Sequence, residues 1–421
     1  MKILLVAYYY SPLEGSGVTR ARHLVKRLPE RGHEVSLLTH TYDGDDQMHE
    51  ELIRVFDPSY NCRRRGRRFL PWLGRRLRSE WTNRTGGYAS IYSAWKERIF
   101  ARVAAIAEMV GPDAVMATYP PVEDLEIGLE FARSRNLPLI ADFRDGLLFE
   151  AVESKPLRRF SSVRERYRAI ERATLAVASA VTTVAEPLSA YFREAYNHPR
   201  VVTVANGFDP DDLPASLPEL ALETNGFHVV HTGRFSLSDA GCAIEPLIRA
   251  VRSLLNSRPD IAARLRLHLV GALSRHEKRL LADLVRRGTA RLYGPRSRDY
   301  ALAFQRRADL LLLVTGVDRR SVTTAKIFEY LQARRPILAL SSQTRAAAIV
   351  NECRAGWTVP PGDESQIAAI LGRIVLDKAF YESIDMTDAA IEKFSGHRSM
   401  ETLDHLLRTL GGKKPLPRDV P

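Results

Sequence analysis

The apolar positions of this chain fall in short continuous runs rather than in strict alternation. Through the first half the runs are "ILLVAYY", "EVSLLT", "DAVMAT", "LPLIADF", "AVTTVA" and "VVTVAN". A strand that is apolar at successive positions is buried on both faces, which predicts a parallel sheet covered by helices. A second series repeats the rhythm: "HVVHTG", "LRLHLVG", "ARLYG", "ADLLLLVTG", "RPILAL" and "GWTVPP". Between its members, segments such as Ile244 to Leu255 and Glu277 to Arg287 carry helical periodicity. The pattern predicts an α/β protein built from two tandem doubly wound, Rossmann-like domains.

Periodicity stops at "NGFDPDDLPASLPEL", Asn206 to Leu220, where Pro, Asp and Gly replace it. The expected organisation is a first domain over 1–206, a second over 207–395, and a C-terminal helix with a flexible tail over 396–421. Tyr42 to Ala89 fits no strand-helix rhythm and is expected to be an insertion with some helix. Two such domains facing each other would leave an interdomain cleft at the carboxyl ends of both sheets. Residues just after strands are therefore the ones to examine.

Composition narrows the class. With 421 residues there is material for two cores of about 200 residues each. An apolar content of 45% and a charged content of 27% exclude a disordered or fibrous chain. The opening "MKILLVAYYYSP" has no small-residue cleavage site and reads as a buried strand, and no apolar run is long enough to span a membrane. Cys62, Cys242 and Cys353 are odd in number, far apart and without metal-ligand spacing, which points to a reducing cytoplasm. The net charge of +12 is spread over both halves, with one local concentration. "RRRGRRFLPWLGRRLR", Arg63 to Arg78, holds eight arginines and no acid.

Four constellations can carry chemistry. In "SPLEGSGVTRARHL", Gly15 and Gly17 permit close backbone approach, and a helix starting near Val18 aims its unpaired N–H groups at an anion. Arg20 in its first turn adds a bidentate donor; the alternative is a purely structural turn. In "IADFRDG", Asp142, Arg144 and Asp145 crowd a strand end. The two carboxylates can orient acceptor hydroxyls or take a proton, with Arg144 holding one of them, or the three can simply close the loop.

In "HTGRF", Gly233 relieves the turn after a strand and Arg234 offers a planar cation suited to a diphosphate, unless it is an exposed arginine with no ligand. In "TTAKIFEYLQARRPILAL", Thr323 or Thr324 caps a helix whose buried stripe is Ile327, Phe328 and Leu331. Lys326 then meets phosphate while Glu329 accepts two ribose hydroxyls, unless the two are an ordinary surface pair. Thr315, at the end of the preceding strand, joins the donor-side candidates.

The arginine segment sets Arg63, Arg64, Arg65, Arg67, Arg68, Arg75 and Arg76 around Trp72. Such a mixture can lie on an anionic membrane, each cation adding about 1 kcal/mol. A nucleic-acid patch is the rival reading, and a basic insertion with no partner is the third.

Taken together, "YYYSPLEGSGVTRARHLVKRLPERGHEVSLLT", "TYPPVEDLEIGL", "LPLIADFRDG", "VANGFD", "HTGRF" and "KIFEYLQARRPILAL" resemble the retaining GT-B-fold glycosyltransferases of family four, the group one glycosyl transferases. The motifs stand in the family's order from residue 2 to about 375. The resemblance implies transfer of a sugar from a nucleoside-diphosphate sugar to a carbohydrate or lipid-linked acceptor hydroxyl, with retention, in polysaccharide, lipopolysaccharide or glycolipid assembly. It implies no cofactor, no essential metal and no nucleic-acid partner, and a cytoplasmic protein, at most peripheral on the inner face of a membrane.

Residue by residue, the resemblance assigns Arg234 and Lys326 to the diphosphate and Glu329 to the ribose. Gly15 and Gly17 lie under the reacting sugar, and Arg20, Asp142, Arg144 and Asp145 face the acceptor. Catalysis would fall to Asp142, Asp145, Arg234 and Lys326. Two positions depart from the pattern: Ser321 stands where many members have a second glutamate, and "RFSLSDAG" lacks a lysine that Lys326 would replace. The competing readings are a nucleotide-sugar epimerase of the same fold and a basic nucleic-acid or membrane-binding protein.

Overall fold

The computed structural model describes residues 1–13, 16–41, 45–58, 77, 80–85, 89–150, 160–235, 244–317, 320–321 and 323–410. They form two compact units: Met1–Ala205 together with the chain from Ser399 onward, and Asn206–Arg398.

In the first unit the strands are β1 (Lys2–Val6), β2 (Glu34–Thr41), β3 (Gln47–Met48), β4 (Leu52–Phe56), β5 (Ala114–Tyr119), β6 (Leu139–Phe143), β7 (Ala178–Thr183) and β8 (Val201–Thr203). The helices α1 (Ser16–Arg27), α2 (Ser93–Phe100), α3 (Val103–Val110), α4 (Val122–Arg135), α5 (Ser161–Val177) and α6 (Glu186–Tyr196) alternate with them. The sheet order is β3-β4-β2-β1-β5-β6-β7-β8, parallel except for the antiparallel edge strand β3. The continuous apolar strands are buried on both faces as predicted. Leu4 and Val6 of β1 face one cluster, while Ile3 and Leu5 face another that includes Ala21 and Leu24 of α1.

Of the segment expected to be an insertion, Tyr42 to Ala89, residues 47–56 are corrected by this sheet, and most of the rest lies outside the described residues. β4 runs parallel to β2, pairing Leu37 with Leu52 and Thr41 with Phe56. Its Ile53 and Val55 are buried while Leu52, Arg54 and Phe56 are less so. Arg54 interrupts the apolar run of "LIRVF", which is why the strand escapes a search for continuous runs.

In the second unit the strands are β9 (Phe227–Thr232), β10 (Leu265–Val270), β11 (Ala290–Gly294), β12 (Leu310–Val317), β13 (Ile337–Ser342) and β14 (Gly356–Val359). They are joined by α7 (Ile244–Ser257), α8 (Pro259–Arg264), α9 (Arg275–Arg286), α10 (Arg298–Arg307), α11 (Ala325–Ala333), α12 (Arg345–Glu352) and α13 (Glu364–Leu376). The sheet, ordered β11-β10-β9-β12-β13-β14, is parallel throughout. Short helices α14 (Lys378–Glu382) and α15 (Asp388–Glu392) follow, then α16 (Gly396–Leu410). Met400, Leu403 and Leu407 of α16 pack into the first unit's core, and His33 Nε2 lies 2.8 Å from Asp404 Oδ1.

In both sheets the strand order reverses direction at one place, between β1 and β5 in the first and between β9 and β12 in the second. Loops leaving adjacent strands diverge there, and that opening at the carboxyl ends is where open α/β sheets bind ligands.

Candidate functional site

The reversal point of the second unit gathers four of the predicted donor-side residues, Gly233, Arg234, Lys326 and Glu329. Gly233 follows β9 at φ +94°, a left-handed conformation that disfavours any side chain. A Cβ there would also lie 2.7 Å from Lys326 Cε. Space beside the turn is thus occupied by the lysine, whose Nζ donates to the Arg234 carbonyl at 3.0 Å. Burial pushes the Lys326 ammonium down to about 8, with the Glu329 charge pulling the other way. Arg234 itself is exposed, and its guanidinium takes no hydrogen bond or ion pair among the described residues.

Lys326 and Glu329 are set by the local structure of α11. Thr324 is the N-cap, its hydroxyl accepting from the Lys326 N–H at 3.4 Å. Ile327, Phe328, Tyr330 and Leu331 are buried, leaving Lys326 and Glu329 half-buried on the flank. Glu329 Oε2 accepts from Gln305 Nε2 at 3.1 Å. His231, at the end of β9, is stacked on Phe235 at 3.9 Å. Its Nδ1 lies 2.9 Å from the Leu312 carbonyl, which can only accept, so Nδ1 carries the proton. Burial, with the nearby Lys326 charge, holds this imidazole neutral. Thr315 is buried at the end of β12, its hydroxyl donating to Ser341, which pairs with Thr344. Ser321 is buried as well.

The first unit treats its charges differently. Asp142, the fourth residue of β6, is 0% exposed. Arg20 meets it in a fork, Nε to Oδ2 at 2.8 Å and Nη2 to Oδ1 at 2.6 Å. Thr118 and Thr182 donate to the same carboxylate at 2.8 and 2.6 Å. Burial opposes ionisation of Asp142, but the Arg20 charge and these donors outweigh it and hold the carboxyl below its usual range. Arg20 also donates to the Val204 carbonyl at 2.9 Å.

The expected pairing of Arg144 with a neighbouring carboxylate is therefore corrected. Arg20 takes Asp142, and Arg144 donates instead to the carbonyls of Gly17, Pro120 and Tyr119. That guanidinium ties the start of α1 to the turn after β5. Burial lowers its affinity for its proton, countered by Asp145, Asp142 and Asp124. Asp145 is half-buried, and its carboxyl is pushed up by burial and pulled down by the Arg144 charge.

Asp124 and Gln305 have no place in the sequence reading. Asp124, in the first turn of α4, is fully buried with Oδ2 accepting from the Tyr8 N–H at 3.0 Å, and Oδ1 takes no partner among the described residues. Burial pushes it well above the usual carboxylate range. An acid there looks in sequence like ordinary helix-dipole complementation, so nothing marks it. Gly15 and the arginine cluster of Arg63, Arg64, Arg65, Arg67, Arg68, Trp72, Arg75 and Arg76 lie outside the described residues.

Comparison with known proteins bears on the family and the fold. Residues 15–207 match a family model described as a glycosyl transferase 4-like domain, and residues 226–377 match one described as glycosyl transferases group 1. A sucrose-phosphate synthase from Thermosynechococcus elongatus superposes with a TM-score of 0.67 at 16% identity, over 98% of this chain and 99% of that one. The E. coli structure described as trehalose-6-phosphate bound with UDP-2-fluoro glucose gives 0.64 at 13%, over 99% and 100%. Anabaena HepE in complex with UDP gives 0.63 at 16%, over 97% and 100%. At these identities the likeness is one of fold. No curated protein sequence matches the chain.

Proposed function

We propose that this chain, which belongs to the GT-B glycosyltransferases of group 1, moves a sugar from a nucleoside-diphosphate sugar to an acceptor hydroxyl with retention. The observation that carries the reading is the convergence of Gly233, Arg234, Lys326 and Glu329 at one strand-order reversal. Lys326 and Arg234 take the diphosphate and Glu329 takes the ribose. The binding of UDP and UDP-sugars by proteins of the same fold supports a nucleotide-sugar donor.

In this reading the acceptor oxygen bonds to the anomeric carbon on the face from which the diphosphate leaves. The bond from that carbon to the diphosphate oxygen breaks, and the acceptor proton passes to the departing diphosphate. Stabilising the negative charge on the leaving group is then the main task of the protein, and fixed cations in a partly buried site perform it. Lys326, anchored at one hydrogen to a backbone carbonyl, retains two N–H bonds for phosphate oxygens. No metal is called upon.

On the first unit, Gly17 and the Arg144 staple shape the loop beside Asp145, which with its raised proton affinity is assigned to the acceptor side. Asp142 and Arg20 position that loop from beneath. The acceptor is assigned to polysaccharide or glycolipid assembly, with the arginine segment meeting an anionic membrane. Leu77, within that segment, and Trp81, just after it, are 57% and 67% exposed and support such a contact. No helix among the described residues is long and apolar enough to cross a membrane.

A thermal-shift screen of nucleotides and nucleotide-sugars tests this reading. One donor class is expected to raise the Tm, and Glu329→Ala and Arg234→Ala to abolish the rise. An undiminished rise in both variants overturns the assignment. The anomeric configuration of the product, read by NMR, tests retention.

A further inference from the structure

Gln305 is 0% exposed, near the end of α10, a helix that packs on the same sheet face as α11. Burying a primary amide is costly unless its hydrogen bonds are met. Here the two amide hydrogens are met and the oxygen is not. Nε2 donates to Thr232 Oγ1 at 2.9 Å and to Glu329 Oε2 at 3.1 Å, while Oε1 takes no partner among the described residues.

The orientation is dictated chemically. Turning the amide over would set its carbonyl against the Glu329 carboxylate, acceptor against acceptor. The rest of the network runs in one direction toward the same end. The Tyr330 hydroxyl donates to the Leu312 carbonyl at 3.3 Å and receives the Thr232 N–H at 3.1 Å. The Thr232 hydroxyl, pointed at Tyr330 at 3.5 Å, leaves its lone pairs to Gln305. One amide hydrogen is thus anchored in the sheet, and the other is presented to Glu329.

We propose that Gln305 is the positioning residue for Glu329. It occupies Oε2 and fixes the plane of the carboxylate, so that the remaining lone pairs face the ribose hydroxyls and the site discriminates ribose from 2′-deoxyribose. This rests on the assignment of Glu329 to the ribose. A freely rotating carboxylate would still attract hydroxyls but would hold them in no one geometry.

The test uses the full chain and whichever of UDP, GDP or ADP raises its Tm most, titrated calorimetrically beside its 2′-deoxy counterpart. Gln305→Leu is expected to weaken binding of the ribonucleotide about tenfold, a change of about 1.4 kcal/mol. It should remove the preference over the deoxynucleotide while leaving turnover at saturating donor within about twofold. In the Glu329→Gln background the same change should add nothing. Gln305→Met serves the same purpose should the leucine variant fail to fold. If Glu329→Gln loses the ribose preference and both Gln305 variants keep it, the role of Gln305 is overturned and the Glu329 assignment stands. If Glu329→Gln itself keeps the preference, the Glu329 assignment falls, and the role of Gln305 falls with it.

Discussion

Both units place charged residues at the carboxyl ends of central parallel strands, yet one closes them and the other leaves them open. In the first, Asp142 is fully buried, and Arg20, Thr118 and Thr182 fill its oxygens. In the second, the Arg234 guanidinium is exposed and Lys326 is tethered at one N–H only. In the closed pair both carboxylate oxygens are filled and both side chains are buried, so its role is to hold backbone in place. An open cation has its desolvation cost only partly compensated, as the depressed Lys326 shows, and an arriving diphosphate completes the compensation. On the proposed reading, charged residues at the carboxyl ends of central strands serve as scaffold in one unit and as binding groups in the other.

The largest effect that can break this comparison falls on the closed pair. Arg20→Ala strands a buried carboxylate and is expected to cost about 3–5 kcal/mol, read as a fall in the denaturation midpoint. A stable, inactive Arg20→Ala variant would instead place Arg20 among the ligand-binding groups. Next comes the open set. Lys326→Ala should lower turnover about 10²–10³-fold, with a denaturation midpoint close to the parent's. An equal loss of stability would make Lys326 a scaffold residue too.

A smaller effect is expected at Gly233. Gly233→Ala places a methyl against Lys326 Cε in a left-handed backbone, at a cost of about 1–3 kcal/mol. Combined with Lys326→Ala the cost should be less than the sum, because the displaced side chain is gone. Strict additivity in denaturation would show that the two do not meet.

The smallest effect lies on an internal, closed network of the second unit. His268 Nε2 lies 2.9 Å from His228 Nδ1, and its Nδ1 lies 2.9 Å from the Tyr293 hydroxyl. Each imidazole needs only one proton to satisfy this chain, which continues from His228 Nε2 to the Glu223 carbonyl at 2.9 Å. Burial, with the neighbouring His228 and arginine charges, lowers His268 from 6.5 to about 4. Because the unfolded chain takes up the proton first, this contribution is fully present above pH 6.5 and is lost as pH falls toward 4. The slope is at most about 1.4 kcal/mol per pH unit. Urea midpoints at pH 7 and 5 check it, and His268→Phe should remove this slope.

The fold was legible where burial on both faces writes an unbroken apolar run, as in "ILLVAYY" and "ADLLLLVTG". It was not legible at β4, where Arg54 faces outward from a half-buried strand. Site positions were legible from their place after strands, since Gly233 and Arg234 follow β9 and Lys326 heads the helix after β12. Partners were not. Arg20 finds Asp142 across 122 residues, although Arg144 stands only two positions away along the chain. Arg144 lies just past the end of β6 and donates to the carbonyls of Gly17, Pro120 and Tyr119, so nearness along the chain did not decide the partner. Gln305 carried no signal at all, because a buried amide and a solvated one are written identically.

The central claim is that an open, partly desolvated Lys326 completes its solvation with a diphosphate. The most direct test is the calorimetric Kd of the full chain for its preferred nucleoside diphosphate between pH 6.5 and 9.5, with Lys326→Arg in parallel. Lys326 is held near 8 in the free protein. The parent is therefore expected to lose affinity as pH rises above about 8, by up to tenfold per unit. The arginine variant, which stays charged, should show a flatter profile. Equal, flat profiles in both proteins would contradict the claim.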